Sequence, residues 1–152
     1  MTRIFPTLAL IAAATATSAN TFSADVWADN WFEMRINGVQ VAQDSVPITT
    51  ERSFNAESFI FEAQRPFVIG LRAKDFKEND TGLEYIGTRR QQMGDGGVIL
   101  QIMDAAGDLV AVSSADWSCL VIHTAPLDKS CESDADPVAG QGACGFDASG
   151  EP

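Results

Sequence analysis

From residue 22 onward the chain alternates. In "DNWFEMRINGVQVAQD", residues 29–44, apolar and polar residues take turns up to Asn37-Gly38 and then take turns again. Successive side chains of a strand point to opposite faces, so this period of two marks strands with one buried side. Asn-Gly is the dipeptide a two-residue reversal prefers, because both central positions need positive φ. Counting outward predicts Ile36 opposite Val39, Arg35 opposite Gln40, Met34 opposite Val41 and Glu33 opposite Ala42. Phe32, Met34, Ile36, Val39 and Val41 then face a core, and Trp31, Glu33, Arg35, Gln40 and Ala42 face water. Trp31 stands out as a large aromatic on the wet side.

The same period recurs along the chain. Residues 22–28 read as a strand entering the hairpin. Residues 57–63 put Phe59, Phe61 and Ala63 on one face, and 66–76 do the same with Phe67, Ile69, Leu71 and Ala73. Residues 97–104 and 108–113 form a second strand pair, and "DWSCLVIH", 116–123, reads as a last, buried strand. Trp27 and Trp117 are expected in the core. Residues 77–96 are a long polar insertion, in which "GDGG" (94–97) is a turn. No stretch beyond the N-terminus carries a long helical period. About seven short strands separated by turn signals predict an all-β fold, an antiparallel β-sandwich or jelly roll.

Residues 1–19 stand apart. A short basic start, an apolar run and "TSA" describe a signal peptide cleaved after Ala19, with Ala16 and Ala24 as alternative sites. The expectation is a secreted or periplasmic protein with a β-sandwich over residues 20–125. Residues 126–152 read as a turn-rich tail leading to a missing closing segment, so the chain reads as a fragment. The formal net charge of −11 argues against nucleic acid and against anionic membrane surfaces, both of which attract basic patches. No run outside the signal peptide is apolar and long enough to insert in a bilayer.

Export permits disulfides. Cys131 and Cys144 bracket a polar Gly- and Pro-containing loop and are expected to staple it. Cys119 is left over.

"ADNWFEMRINGVQV", "PFVIGLRAKDF" and "GGVILQIMDAAGDLVAVSSADW" together resemble galactose-binding-like β-sandwich domains, over roughly residues 24–123. These are accessory modules of secreted multidomain proteins. The resemblance implies a non-catalytic binding role toward carbohydrate or another extracellular surface ligand. It also implies a closing strand that this sequence lacks, and such a strand would supply a partner for Cys119. The alternative is a structural or protein-interaction domain that packs on a companion domain through Trp31.

Catalysis finds little support. His123 is the single histidine and reads as a strand-end residue, and no GxSxG nucleophile elbow exists. The candidate sugar-binding residues are Trp31 with Arg35, and Tyr85 with Arg89 and Arg90. Each set joins an aromatic platform for sugar C–H groups to polar groups for the hydroxyls, the usual logic of small-ligand sites. The candidate cofactor is a structural calcium held in the loop 75–85, with Asp75, Asp80 and Glu84 as ligands. Calcium takes six to eight oxygens, which such a loop supplies, although its spacing is not that of an EF-hand.

Overall fold

A computed structural model describes residues 19–50 and 52–150, and the expected signal peptide lies outside them but for Ala19. Two antiparallel sheets enclose the main core. The larger has the strand order β4-β1-β8-β9, built from β1 (Asn20–Asp29), β4 (Ala56–Ala63), β8 (Gly97–Asp104) and β9 (Leu109–Val112). The smaller has the order β3-β2-β5, built from β2 (Trp31–Ile36), β3 (Val39–Gln43) and β5 (Ile69–Lys74). No α-helix occurs among the described residues; a 3-10 turn at Lys129–Ser133 is the one helical element. The fold is all-β and antiparallel, as the alternation predicts.

The core follows from that alternation. β1 sends Phe22, Ala24, Val26 and Ala28 inward, β8 sends Leu100 and Ile102, and β2 sends Phe32, Met34 and Ile36 from the facing sheet. Phe61 stacks on Phe22 at 5.4 Å between ring centroids, and Phe67 meets Phe22 edge-on at 5.0 Å. Fully burying a side chain of the size of Phe22 or Phe61 contributes ~2 kcal/mol; these two rings tie β1 to β4 within the larger sheet, and Phe67, just before β5, packs against both.

The hairpin turn forms as expected. Asn37 and Gly38 have φ of 51° and 82°, and Ile36 pairs with Val39 and Arg35 with Gln40. The register then shifts. Met34 pairs with Ala42 and Glu33 with Gln43, so Val41 is an extra residue in a bulge. A bulge turns the strand and exchanges the faces beyond it. Ala42 therefore packs on the core; Val39, expected inside, sits on the turn side of the bulge in its expected pair with Ile36 and is exposed.

A second correction concerns residues 116–123, which form no strand. Leu120 and Val121 are exposed, as is Cys119, which is a free thiol. An apolar run becomes a strand only where a neighbouring backbone completes its ladder. Here the pairing is reduced to one bridge, Thr124 with Asp147. Trp117 does reach the core, whereas Trp27 is half-buried on the outer side of β1.

The polar insertion and the tail fold together. β6 (Leu83–Glu84) and β7 (Gln92–Met93) make a small hairpin. Leu83 is buried with Cys131 and Cys144, and Ile86, Met93 and Ala143 pack around them. Cys131 and Cys144 form the expected disulfide. The Gln91 amide donates to the carbonyls of Glu132 and Asp134, at 3.1 and 2.6 Å. This second, smaller core closes over one end of the sandwich.

Candidate binding site

That end carries an open cavity of about 300 Å³ lined by Asp29, Arg52, Ser53, Phe54, Glu84, Tyr85, Gln92 and Asp95. Its residues come from three sources. Asp29 ends β1, where one residue, Asn30, links it to β2 in the other sheet. Glu84 and Gln92 come from the β6–β7 hairpin, and Tyr85 starts its turn with φ of 52°. The Tyr85 and Gly87 positive φ values let the chain reverse at once, which brings Thr88 N–H to the Tyr85 carbonyl at 3.1 Å.

The polar groups around the cavity hold one another. Arg52 Nε donates to the Tyr85 hydroxyl at 3.0 Å, and its guanidinium lies 5.9 Å from the same ring centroid. Gln92 Nε2 donates to the Glu84 carboxylate at 3.2 Å. Asp75 lies just behind, with its carboxylate accepting from the Phe76 backbone N–H at 2.8 Å.

Three carboxyls here are pushed above their ordinary range. Burial is the largest cause for Asp29, with the charges of Asp95 and Asp75 adding to it. Burial also leads for Glu84, followed after the opposing Gln92 hydrogen bond by Asp75, Asp95 and Asp29. For Asp75 burial again dominates and Asp95 adds, against hydrogen bonds from the Phe76 and Gly96 backbone. Four acidic groups thus feel one another at one end of a sandwich. Asn30, next to Asp29, is fully buried, and its Oδ1 has no hydrogen-bond partner, although its Nδ2 donates to the Thr50 carbonyl at 3.1 Å. An orphaned buried carbonyl oxygen is costly. The four carboxylates offer oxygens, the donors that a hard cation such as calcium takes. Among the described residues, no three acidic, histidine or cysteine side chains already stand together as a metal site.

The sequence-predicted residues scatter across this geometry. Tyr85 and Glu84 line the cavity. Arg89 and Arg90 are exposed in the turn between β6 and β7 and do not line it. Trp31 begins β2 opposite Lys74, and Arg35 is held at the hairpin end by Glu33 at 2.6 Å and the Gly38 carbonyl at 3.0 Å. Asp80 lines a different cavity, of about 180 Å³, beside Asp75, Lys77 and His123. There a hydrogen bond and the charge of Lys77, 2.6 Å away, hold the Asp80 carboxyl below its usual range. His123 stacks on Phe146 at 5.6 Å.

Sequence reasoning missed Asp29, Arg52 and Asp95. Asp29 had a usable signal, since a carboxylate at the junction of two strands sits at a sheet end. Asp95 lies within "GDGG", a run whose glycines read as a turn and nothing more.

No family model matches the chain, and no curated protein matches it. Among solved structures the chain is similar to a PA14 sugar-binding domain from an RTX adhesin, at 14% identity over 62% of this chain and a TM-score of 0.36. The chain spans 44% of the length of that structure.

Proposed function

We propose that this chain is an exported, non-catalytic carbohydrate-binding module of galactose-binding-like type, with its ligand in the cavity beside Tyr85. One observation carries the reading. Two aromatic rings, Tyr85 and Phe54, share a cavity with Arg52, Ser53, Gln92 and three carboxylates. Aromatic faces suit the C–H side of a sugar ring, and planar amides, guanidinium and carboxylates suit its hydroxyls. The Arg52–Tyr85 contact fixes the ring before a ligand arrives, which lowers the entropy cost of binding.

Calcium fits this site better than a softer metal, because the available donors are oxygens. Asp29, Asp75, Glu84 and Asp95 are the carboxylates that would hold it. When bound, the ion would neutralise the carboxylates and offer coordination to sugar hydroxyls. The chain's own side chains supply the platform and the orienting hydrogen bonds. Export accords with the Cys131–Cys144 bridge, since disulfides persist in oxidising compartments.

Calorimetric titration with a panel of neutral monosaccharides and oligosaccharides, in calcium and then in chelator, tests the reading. Binding by the parent and its loss in Tyr85→Ala, with circular dichroism unchanged, are expected. A Tyr85→Ala protein that binds as the parent does, or a parent that binds none of the panel in either condition, would overturn it. For the ion, a melting temperature that rises with calcium and falls with chelator is expected, because a ligand of the folded state stabilises it.

A further inference from the structure

The outer faces of the two sheets differ in kind. On the β3-β2-β5 sheet the outward positions are Glu33, Arg35, Gln40, Gln43, Arg72 and Lys74, with Trp31 at one end. That face is built for water. On the β4-β1-β8-β9 sheet, pairing sets three outward rows. Ile60, Ser23, Met103 and Leu109 form the first; Ser58, Asp25, Gln101 and Val112 the second; Ala56, Trp27 and Ile99 the third. Ile60 is 72% exposed, Leu109 59%, Ile99 52% and Val112 45%. Ile99 and Met103 on β8 adjoin Val112 and Leu109 on β9, with Trp27 beside Ile99, and Ile60 stands at the β4 edge across Ser23 and Asp25.

We infer that this face docks a protein surface that carries an apolar ridge flanked by lysine or arginine. The ligand class follows from the residues. Sugars favour flat aromatic platforms, whereas Ile60, Ile99, Leu109 and Val112 bury best against other aliphatic side chains. The charge follows too. The charged residues at the outward positions of this sheet are Asp25, Asp29 and Glu62, all acidic. Asp25 is already oriented, accepting from Ser58 Oγ at 2.6 Å and Gln101 Nε2 at 3.2 Å. A second copy would bring the same acidic face and a further formal charge of −11, so like charges oppose self-pairing. A basic partner gains from the same field, above all in its rate of encounter.

The test uses the full chain and two synthetic probes, a peptide of alternating leucine and lysine and one of alternating leucine and glutamate. Binding is followed by amide chemical shifts in nuclear magnetic resonance. The lysine peptide should perturb β4, β1, β8 and β9 around Ile60 and Ile99, and the glutamate peptide should not bind. The Ile60→Ser/Ile99→Ser double variant should lose about tenfold in affinity for the lysine peptide. Its saccharide binding should match the parent's, which separates this inference from the cavity reading. Perturbation confined to the acidic cavity, equal binding of both peptides, or an unchanged affinity in the double variant would overturn the inference. So would sedimentation showing a dimer that the double variant abolishes, since the occupant would then be a second copy.

Discussion

Gly94 presses directly on the carboxylate of Asp75. A Cβ placed on Gly94 would come within 1.8 Å of Asp75 Oδ2 and 2.7 Å of Cγ. Asp75 cannot swing away cheaply, because its carboxylate accepts from the backbone of Phe76 and Gly96. Gly94 is a glycine for lack of space, and the loop 94–96 and Asp75 form one packed unit. Gly94→Ala should cost about 1–3 kcal/mol by overpacking, read as a lower denaturant midpoint. The same change in an Asp75→Ala background should cost less, and a double-mutant cycle measures the difference.

Asp75 also sets a pH dependence. Asp29, Asp75 and Glu84 all have carboxyls raised in the folded state. The folded chain therefore binds protons more tightly than the unfolded chain. The stability these groups contribute is fully present below the ordinary carboxylate range and declines as pH rises through their folded values. In chelator, Asp75→Asn should melt above the parent at pH 7, since it removes one charge from the cluster. The gap should close as pH falls and the parent's carboxyls take up protons. A gap that is constant with pH would show that the cluster's charges do not oppose folding.

The disulfide should act locally. Cys131 and Cys144 are 13 residues apart, and closing a loop of that length is worth about 3 kcal/mol in the chain-entropy account. Both sulfurs sit in the smaller core with Leu83, away from the Phe22–Phe61 stack. Cys131→Ser/Cys144→Ser should therefore expose residues 77–96 and 126–150 to hydrogen exchange, while β1 and β8 keep their protection. Saccharide affinity should fall with it, because Glu84, Tyr85 and Gln92 belong to the loosened part.

Gly38 separates backbone strain from crowding. Its φ is 82°, and a Cβ there would meet nothing within 4 Å. Gly38→Val should still destabilise the chain by roughly 1–2 kcal/mol, because a β-branched residue is strained in the left-handed region. Gly38→Asn should cost less, as asparagine tolerates that region best among the others. Thermal melts of the two variants give the comparison.

The hairpin shows how far the sequence carries. Ile36 opposite Val39 was legible because turn chemistry and the apolar period agree. The bulge at Val41 was not, since both registers leave an aliphatic residue near the core. Phe59, Phe61, Phe67, Ile69 and Leu71 all pack as the alternation predicts. Leu120 and Val121 do not, because an apolar run records solubility and not the presence of a ladder partner. Of the candidate cavity's lining, part was legible. Tyr85, Glu84 and Asp95 belong to one insertion, but their neighbours Asp29 and Arg52 arrive from a distant strand end and loop, and a linear reading has no means of adding up those distances.

Between β1 and β2 the chain passes from one sheet to the other through a single residue, Asn30, with Asp29 behind it and Trp31 ahead. Any force on Asp29 is therefore felt in both layers. A guest seated against it and against Glu84 would tie three pieces of chain at their common corner. Scanning calorimetry should register such a guest as a sharpening of the heat-absorption peak, the sandwich and its clasped cap giving way together rather than in turn.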